Sequence, residues 1–325
     1  GLGIFLVWWS WKGFDAETKA QMFDALKDTK YIWLIFSAFF ALLSHFSRAI
    51  RWQMLIEAVD EHKPRLGNVF MATLVAYFAN LAFPRLGEVV RCGIINRYEN
   101  VGLDTALGTV ITERLLDLVL LIIVVSIALL TQFDIISTFF YEEVVISFSE
   151  KIGNLFAGLS LTFYLILGTI GFILLLGLFW LARNFSELSL YKKVKNLAFG
   201  IWNGIKSVKN IKNLPAFIFH TLFIWLMYFA MIYICFFSFA ATELLNPLVG
   251  LSVLAMGSIA VIVTPGGIGA YPIIVASVLV LYGIPYEMGF VFGWLVWTVQ
   301  TLLIIIAGFI ALTALPLLNH QFKAS

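Results

Sequence analysis

The sequence predicts an all-α polytopic membrane protein. Its layout is an inverted repeat of span, re-entrant broken hairpin and span, with about six to seven full spans plus two re-entrant hairpins at ~20 residues per span. Three observations predict it. Of 325 residues, 61% are hydrophobic and 12% charged, with a mean hydropathy of +0.96, whereas a soluble domain carries roughly 25% charge. The apolar residues fall in long runs, and the two shortest end just before Pro84 and Pro265. The charges are segregated loop by loop, and the net charge of +2 points to no nucleic-acid partner.

The opening GLGIFLVWWSW is shorter than a span and has no basic flank or cleavage site, so it reads as the second half of a first transmembrane helix. DAETKAQMFDALKDTK follows and reads as a surface amphipathic helix. Apolar runs at 31–59, 66–83, 105–130, 155–181, 215–241, 247–263 and 287–318 predict membrane helices, and a less regular apolar segment follows each proline break. Residues 183–212 carry Arg183, Lys192, Lys193, Lys195, Lys206, Lys209 and Lys212 against Glu187, which predicts a cytoplasmic segment. Residues 134–151, with Asp134, Glu142, Glu143 and Glu150 against Lys151, are expected outside. Threading these sides forces 66–97 and 247–283 each to return to the side it left. The expected organisation is a single transmembrane domain, 1–325, with repeat 1 at 31–132, a linking span and basic amphipathic segment at 153–213, and repeat 2 at 214–318.

One fixed offset takes Phe83-Pro84 to Thr264-Pro265 and Gly102-Leu103 to Gly283-Ile284. Inverted repeats with broken helices are the architecture of secondary transporters. Irregular backbone at membrane depth needs protein or water around it, so the hairpins are expected to face a cavity. After Pro84, the backbone donors of Leu86, Gly87 and Glu88 and the side chain of Arg85 would form an anion site. In TPGGIGAYP, Gly266, Gly267 and Gly269 either let backbone approach a ligand or pack helices closely. Arg91 and Arg97 either line the cavity or sit at headgroup level.

TERLLDLVLL places Glu113, Arg114 and Asp117 in the next span, with Glu113 about 12 Å in from Thr105 at ~1.5 Å per residue. Arg114 and Asp117, three apart, can pair, and charges at that depth face the bundle interior, as a structural ion network or as a working site. Arg48 and Arg51 share a face near the end of their span, where snorkelling would also place them. Cys92 and Cys235 are far apart, His62, His220 and His320 are scattered, and no metal, nucleophile or nucleotide motif is present. No cofactor, metal or catalytic residue is therefore expected.

The run FPRLGEVVR…GLDTALGTVITERLLDLVLL, with RAIRW before it and TPGGIGAYPIIVASVLVLYGIP after it, resembles the lysylphosphatidylglycerol synthase transmembrane region, also called the flippase-like domain family. The resemblance puts the family motif on Arg51, Asn80, Pro84, Gly87, Glu88, Arg91, Glu113, Arg114, Asp117, Pro265, Gly266, Gly267 and Gly269. It implies movement of a modified lipid across the bilayer, as in the membrane half of aminoacyl-phosphatidylglycerol synthases. Only seven residues follow Leu318, so a stand-alone member without the soluble aminoacyl-transfer domain is expected. Tyr271-Pro272 stands where relatives often place an acidic residue, and Trp294-Leu295 stands where repeat symmetry would put Glu113-Arg114.

The expected function is a flippase or scramblase, not an enzyme, for an anionic phospholipid or an aminoacylated, glycosylated or polyprenyl-linked lipid. It would act in the cytoplasmic or inner membrane with 183–212 and the C-terminus cytoplasmic, and a lipid-modifying enzyme is its candidate protein partner. Two other readings stay open: a membrane-embedded headgroup transferase using Glu113 or Asp117 as base, and an accessory protein docking a partner through its basic segment.

Overall fold

The computed structural model describes residues 12, 14–60, 63–83, 85–133 and 211–319. The chain divides into two units, residues 1–132 with 207–325, and residues 133–206. Apart from Phe133, the described residues belong to the first. The opening half-helix, the acidic loop, the span at 155–181 and the basic segment, save Ile211 and Lys212, lie outside the described residues.

The regular structure described is all helical. Helix α1 (Ala16–Lys27) is the expected surface helix: the Asp15 carboxylate caps it by accepting from the Thr18 N–H at 2.7 Å, and Met22 turns inward. Among the described residues, four helices are long and apolar enough to cross a membrane: α2 (Tyr31–Glu57), α5 (Leu103–Thr131), α6 (Leu214–Phe236) and α9 (Tyr286–Leu318). Between them lie α3 (Leu66–Ala82), α4 (Leu86–Glu99), α7 (Pro247–Val263), a 3-10 turn (Pro265–Gly267) and α8 (Ala270–Val280). At ~1.5 Å per residue, the 17 residues of α3 reach only about 25 Å of a hydrocarbon core ~30 Å thick. The segments after each proline, expected to be irregular, are helices as well. Helix α4 is less apolar than the spans, and its Glu88, Arg91 and Glu99 face protein partners.

Each hairpin breaks in the same way. Phe83 and Thr264 are extended, as a residue before proline prefers, and Arg85 and Gly266, two positions further on, are both left-handed with φ of 65° and 59°. Asn246 starts α7 by accepting from the Leu248 and Val249 N–H groups, with Pro247 in the first turn, where its missing donor costs nothing.

The repeats are inverted. Helices α2 and α6, which correspond, pack against each other with Ser37 on the carbonyl of Met231 and Ser47 on His220, so they run antiparallel. Corresponding elements that run antiparallel are related by an axis across them, in the membrane plane when they span. The hairpins are exchanged: α3 packs on α9 and α7 on α5. Leu81 of the first hairpin reaches Gly266 of the second, so the two breaks meet.

Two polar clasps close the exchanged contacts. After α5, Gln132 donates to Ser252 Oγ at 2.8 Å and the Leu248 carbonyl at 3.0 Å on α7, and Tyr282 bonds both Gln132 and Ser252. After α9, Asn319 exchanges bonds of 2.9 and 3.0 Å with Asn68 on α3, accepts from Arg65, and stands beside Glu99, which Asn68 and Arg65 also contact. The outer faces of α5 and α9 expose Ile122, Ile123, Leu130, Ile306, Phe309 and Ile310, the surface of an embedded bundle.

Candidate functional site: a buried ion network

The network is built on two spacings. Arg48 and Arg51 lie three apart on α2, Glu113 and Asp117 four apart on α5, and helical neighbours at these spacings share a face. The packed helices bring the faces together. Arg48 reaches Glu113 at 2.5 Å and Asp117 at 2.7 Å, and Arg51 reaches Asp117 at 2.6 Å and Glu113 at 3.5 Å. From α4, Arg91 donates to the other oxygen of Glu113 at 2.9 Å. Its guanidinium also stacks 4.5 Å from the centre of the Trp52 ring, whose Nε1 is held by Thr109. At the rim, Arg114 pairs with Glu88 at 2.8 Å. From the second repeat, Tyr228 Oη accepts from Arg48 at 3.0 Å.

Burial is nearly complete: Arg51 and Glu113 are 0% exposed and Arg91 2%. Insertion scales put each such charge at about 2.5–3.5 kcal/mol, and pairing is what makes the arrangement tolerable. The four guanidinium groups of Arg48, Arg51, Arg91 and Arg114 face the three carboxylates of Glu88, Glu113 and Asp117. One positive charge is in excess. Several buried atoms have no hydrogen-bond partner among the described residues: Arg51 Nη1, Arg91 Nη2, Tyr77 Oη, both ring nitrogens of His45, and Glu88 Oε2. His45 stacks on Tyr77 with ring centres 4.6 Å apart.

The structure therefore brings together Arg51, Glu88, Arg91, Glu113, Arg114 and Asp117. Three expectations are corrected. Arg114 pairs with Glu88, not with Asp117, because Arg48 and Arg51 of α2 already occupy Asp117. Arg48 and Arg51 do not snorkel; they point into the bundle. The donors after Pro84 are not all free: the Gly87 N–H donates to Asn80 Oδ1 at 2.7 Å and the Leu86 N–H to the Phe83 carbonyl at 3.3 Å. Gly87 is required for contact, since a Cβ there would lie 2.0 Å from the Ala76 carbonyl oxygen.

Arg85 is exposed and joins none of these ion pairs. The second hairpin stands apart from the charges. The carbonyl of Gly266 accepts from Trp297 Nε1 at 2.8 Å, Gly267 and Gly269 follow Pro265 with φ of 75°, and Tyr271 is buried against Gly257. Sequence reasoning did not single out His45, Tyr77 or Tyr228; the one available signal was the match between the spacing of Arg48 and Arg51 and that of Glu113 and Asp117.

Antiparallel repeats, broken hairpins too short to cross and a paired ion network inside the bundle define a multi-pass all-α membrane protein with a charged interior. The chain belongs to the lysylphosphatidylglycerol synthase transmembrane region family, whose model matches residues 1–308. Membership ties it to a membrane-lipid function. No curated protein and no solved structure matches it.

Proposed function

We propose that the chain is a flippase or scramblase that carries a lipid headgroup across the bilayer along the ion network while the tails stay in hydrocarbon. The substrate is an anionic phospholipid or an aminoacylated, glycosylated or polyprenyl-linked lipid. The observation that carries the reading is the set of unpartnered buried atoms, Arg51 Nη1, Arg91 Nη2, Tyr77 Oη and the His45 nitrogens, around a network with one positive charge in excess. Each unmet buried donor costs about 1–3 kcal/mol, a cost that a passing phosphate and its water would remove. A polar headgroup needs such partners because hydrocarbon offers none.

The transferase reading is less well supported at the carboxylates first considered for it, since every oxygen of Glu113 and Asp117 is held by a guanidinium. Glu88 Oε2 is the carboxylate oxygen of the network without a partner, and a transferase would place its base there. The cytoplasmic or inner membrane and a cytoplasmic basic segment belong to the same proposal.

The test is headgroup translocation in proteoliposomes with fluorescent phosphatidylglycerol, phosphatidylethanolamine and a polyprenyl-phosphate analogue. Arg85→Ala and Glu88→Gln run alongside because neither residue is fully buried. Movement of one lipid class, slowed tenfold or more by Glu88→Gln, is expected. Monodisperse protein that moves none of the three faster than empty vesicles would overturn the reading, and a chemically altered headgroup would replace it with the transferase.

A further inference from the structure

Helix α4 has two working faces. Glu88 and Arg91 look toward α2 and α5, whereas Val90, Gly93, Ile94 and Arg97 look toward the far end of α9. Between α4 and α9 lies a cleft of about 480 Å³, walled by Val90 and Ile94 on one side and Leu312 and Leu315 on the other. Its size falls in the range of about 300–1,000 Å³ that small-molecule sites occupy.

Three features of the cleft point to one occupant. Arg97 lines it from the last turn of α4, stacked 5.6 Å from the centre of the Tyr98 ring and without an acidic partner among the described residues. Asn319 lies on the opposite wall with its amide already taken by Asn68, Arg65 and the Leu315 carbonyl. Pro316 in α9 has no N–H, so the carbonyl of Leu312 on the same wall loses its usual helical donor. Leu312 is itself 47% exposed and continues into the apolar outer face of α9 with Phe309 and Ile310, so the cleft opens beside the lipid-facing surface. The polar groups left for an occupant are a cation and a carbonyl, and the walls are hydrocarbon.

Gly93 adds an independent observation. A glycine inside a helix costs about 1 kcal/mol relative to alanine, and it is usually repaid by close packing. Here a Cβ would meet nothing within 4 Å, so no neighbour requires the glycine. Gly93 is exposed and lines the cleft, so a larger side chain there would reach into it.

We propose that this cleft holds an anionic phospholipid of the surrounding bilayer, with its phosphate on Arg97 and the start of its acyl chains along Val90, Ile94, Leu312 and Leu315. The phosphate supplies the charge that Arg97 lacks, and a headgroup hydroxyl or ammonium donates to the Leu312 carbonyl. A zwitterionic choline lipid offers the phosphate but neither donor nor net charge. The site is separate from the translocation path and stands whether or not the chain moves lipid. A bound lipid there bridges α4 to α9, and so bears on the helix that carries Arg91.

The test uses the full chain in vesicles that contain a trace of phosphatidylglycerol or phosphatidylcholine with a photoactivatable diazirine in one acyl chain, followed by peptide mapping. Adducts on 90–98 and 312–316 are expected, several-fold stronger with phosphatidylglycerol. Arg97→Gln is expected to remove that preference. Gly93→Leu, whose Cβ would meet nothing within 4 Å and whose branched end would project into the cleft, is expected to remove the adducts themselves at unchanged thermal stability. Equal labelling by the two lipids, labelling that survives Gly93→Leu, or no adduct in either segment would each overturn the proposal, the last pointing instead to a second copy of the chain or the chain's own end in the cleft.

Discussion

The two repeats share a layout and hold it together by different means. In the first, α4 meets α5 through ions, with Arg91 on Glu113 and Glu88 on Arg114. In the second, α8 meets α9 backbone to backbone: a Cβ on Gly293 would lie 2.7 Å from Pro272 Cα, and one on Gly289 would lie 2.9 Å from Ala276 Cα. Pro272 occupies the position that corresponds to Arg91, and Trp294 that of Glu113. In a bilayer, where burying apolar surface gains little between helices, close approach of small residues is the ordinary way to hold spans together. The second repeat shows that this scaffold can be packed so. A buried ion cluster often stabilises no more than a well-packed apolar one, so the charges of the first repeat are not explained by stability alone. That contrast is why the proposed headgroup path is placed in the first repeat.

The largest effect should come from unbalancing the ions. Glu113→Gln leaves Arg48, Arg51 and Arg91 around a neutral amide, and loss of a buried partner costs about 3–5 kcal/mol. Thermal unfolding followed by size-exclusion chromatography should show it as a sharp loss of monodisperse protein. Next comes the glycine contact. Gly293→Ala should destabilise by about 1–3 kcal/mol through overpacking, while Thr112→Ser at the corresponding position of the first repeat should change little; equal effects would erase the contrast.

The clasps allow a finer comparison. Asn68→Ala removes a donor from the Glu99 carboxylate as well as from Asn319 and should cost about 1.5–3 kcal/mol. Gln132→Ala leaves Ser252 and Tyr282 still bonded to each other and should cost about 0.5–1.5 kcal/mol. The reverse order in thermal unfolding would show that the two clasps are not held as the structure has them. The smallest effect has the opposite sign. Arg85 holds the left-handed conformation that its counterpart Gly266 adopts freely, at a cost of about 1–2 kcal/mol for a non-glycine residue. Arg85→Gly should therefore raise stability by about 1 kcal/mol, and in the transport assay it reports separately on the loss of the exposed charge.

Much of the fold was legible in the sequence because its causes are local. Among the described residues, run length gave the spans, Pro84 and Pro265 gave the breaks, and charge segregation with the offset between the prolines gave the inversion. The helical character of α4 was less legible, since its polar residues read as irregular until their partners on α2 and α5 are known. The site was legible in its members and not in its pairings. Spacing along one helix suggested Arg114 with Asp117, but which helix lies alongside is a tertiary fact, and α2 supplies the stronger partners. His45 and Tyr77 carried no motif, and Asn68 meets Asn319 across 251 positions, a separation that no periodicity reveals.

The clasp at Asn319 also has a consequence for how the chain is made. As the polypeptide emerges from its beginning, every carboxylate of the ion network finds its arginine within residues 48–117, before any of the second repeat exists. Pairing of every carboxylate in the network thus needs only the first half of the chain, with one guanidinium left in excess. The last turn of α9 arrives afterwards and fastens Asn68 and Arg65 to the chain's far end. Chains stopped before α9 should insert with their ions paired yet remain open at that end, and pulse-chase of such truncations would show them inserted but short-lived.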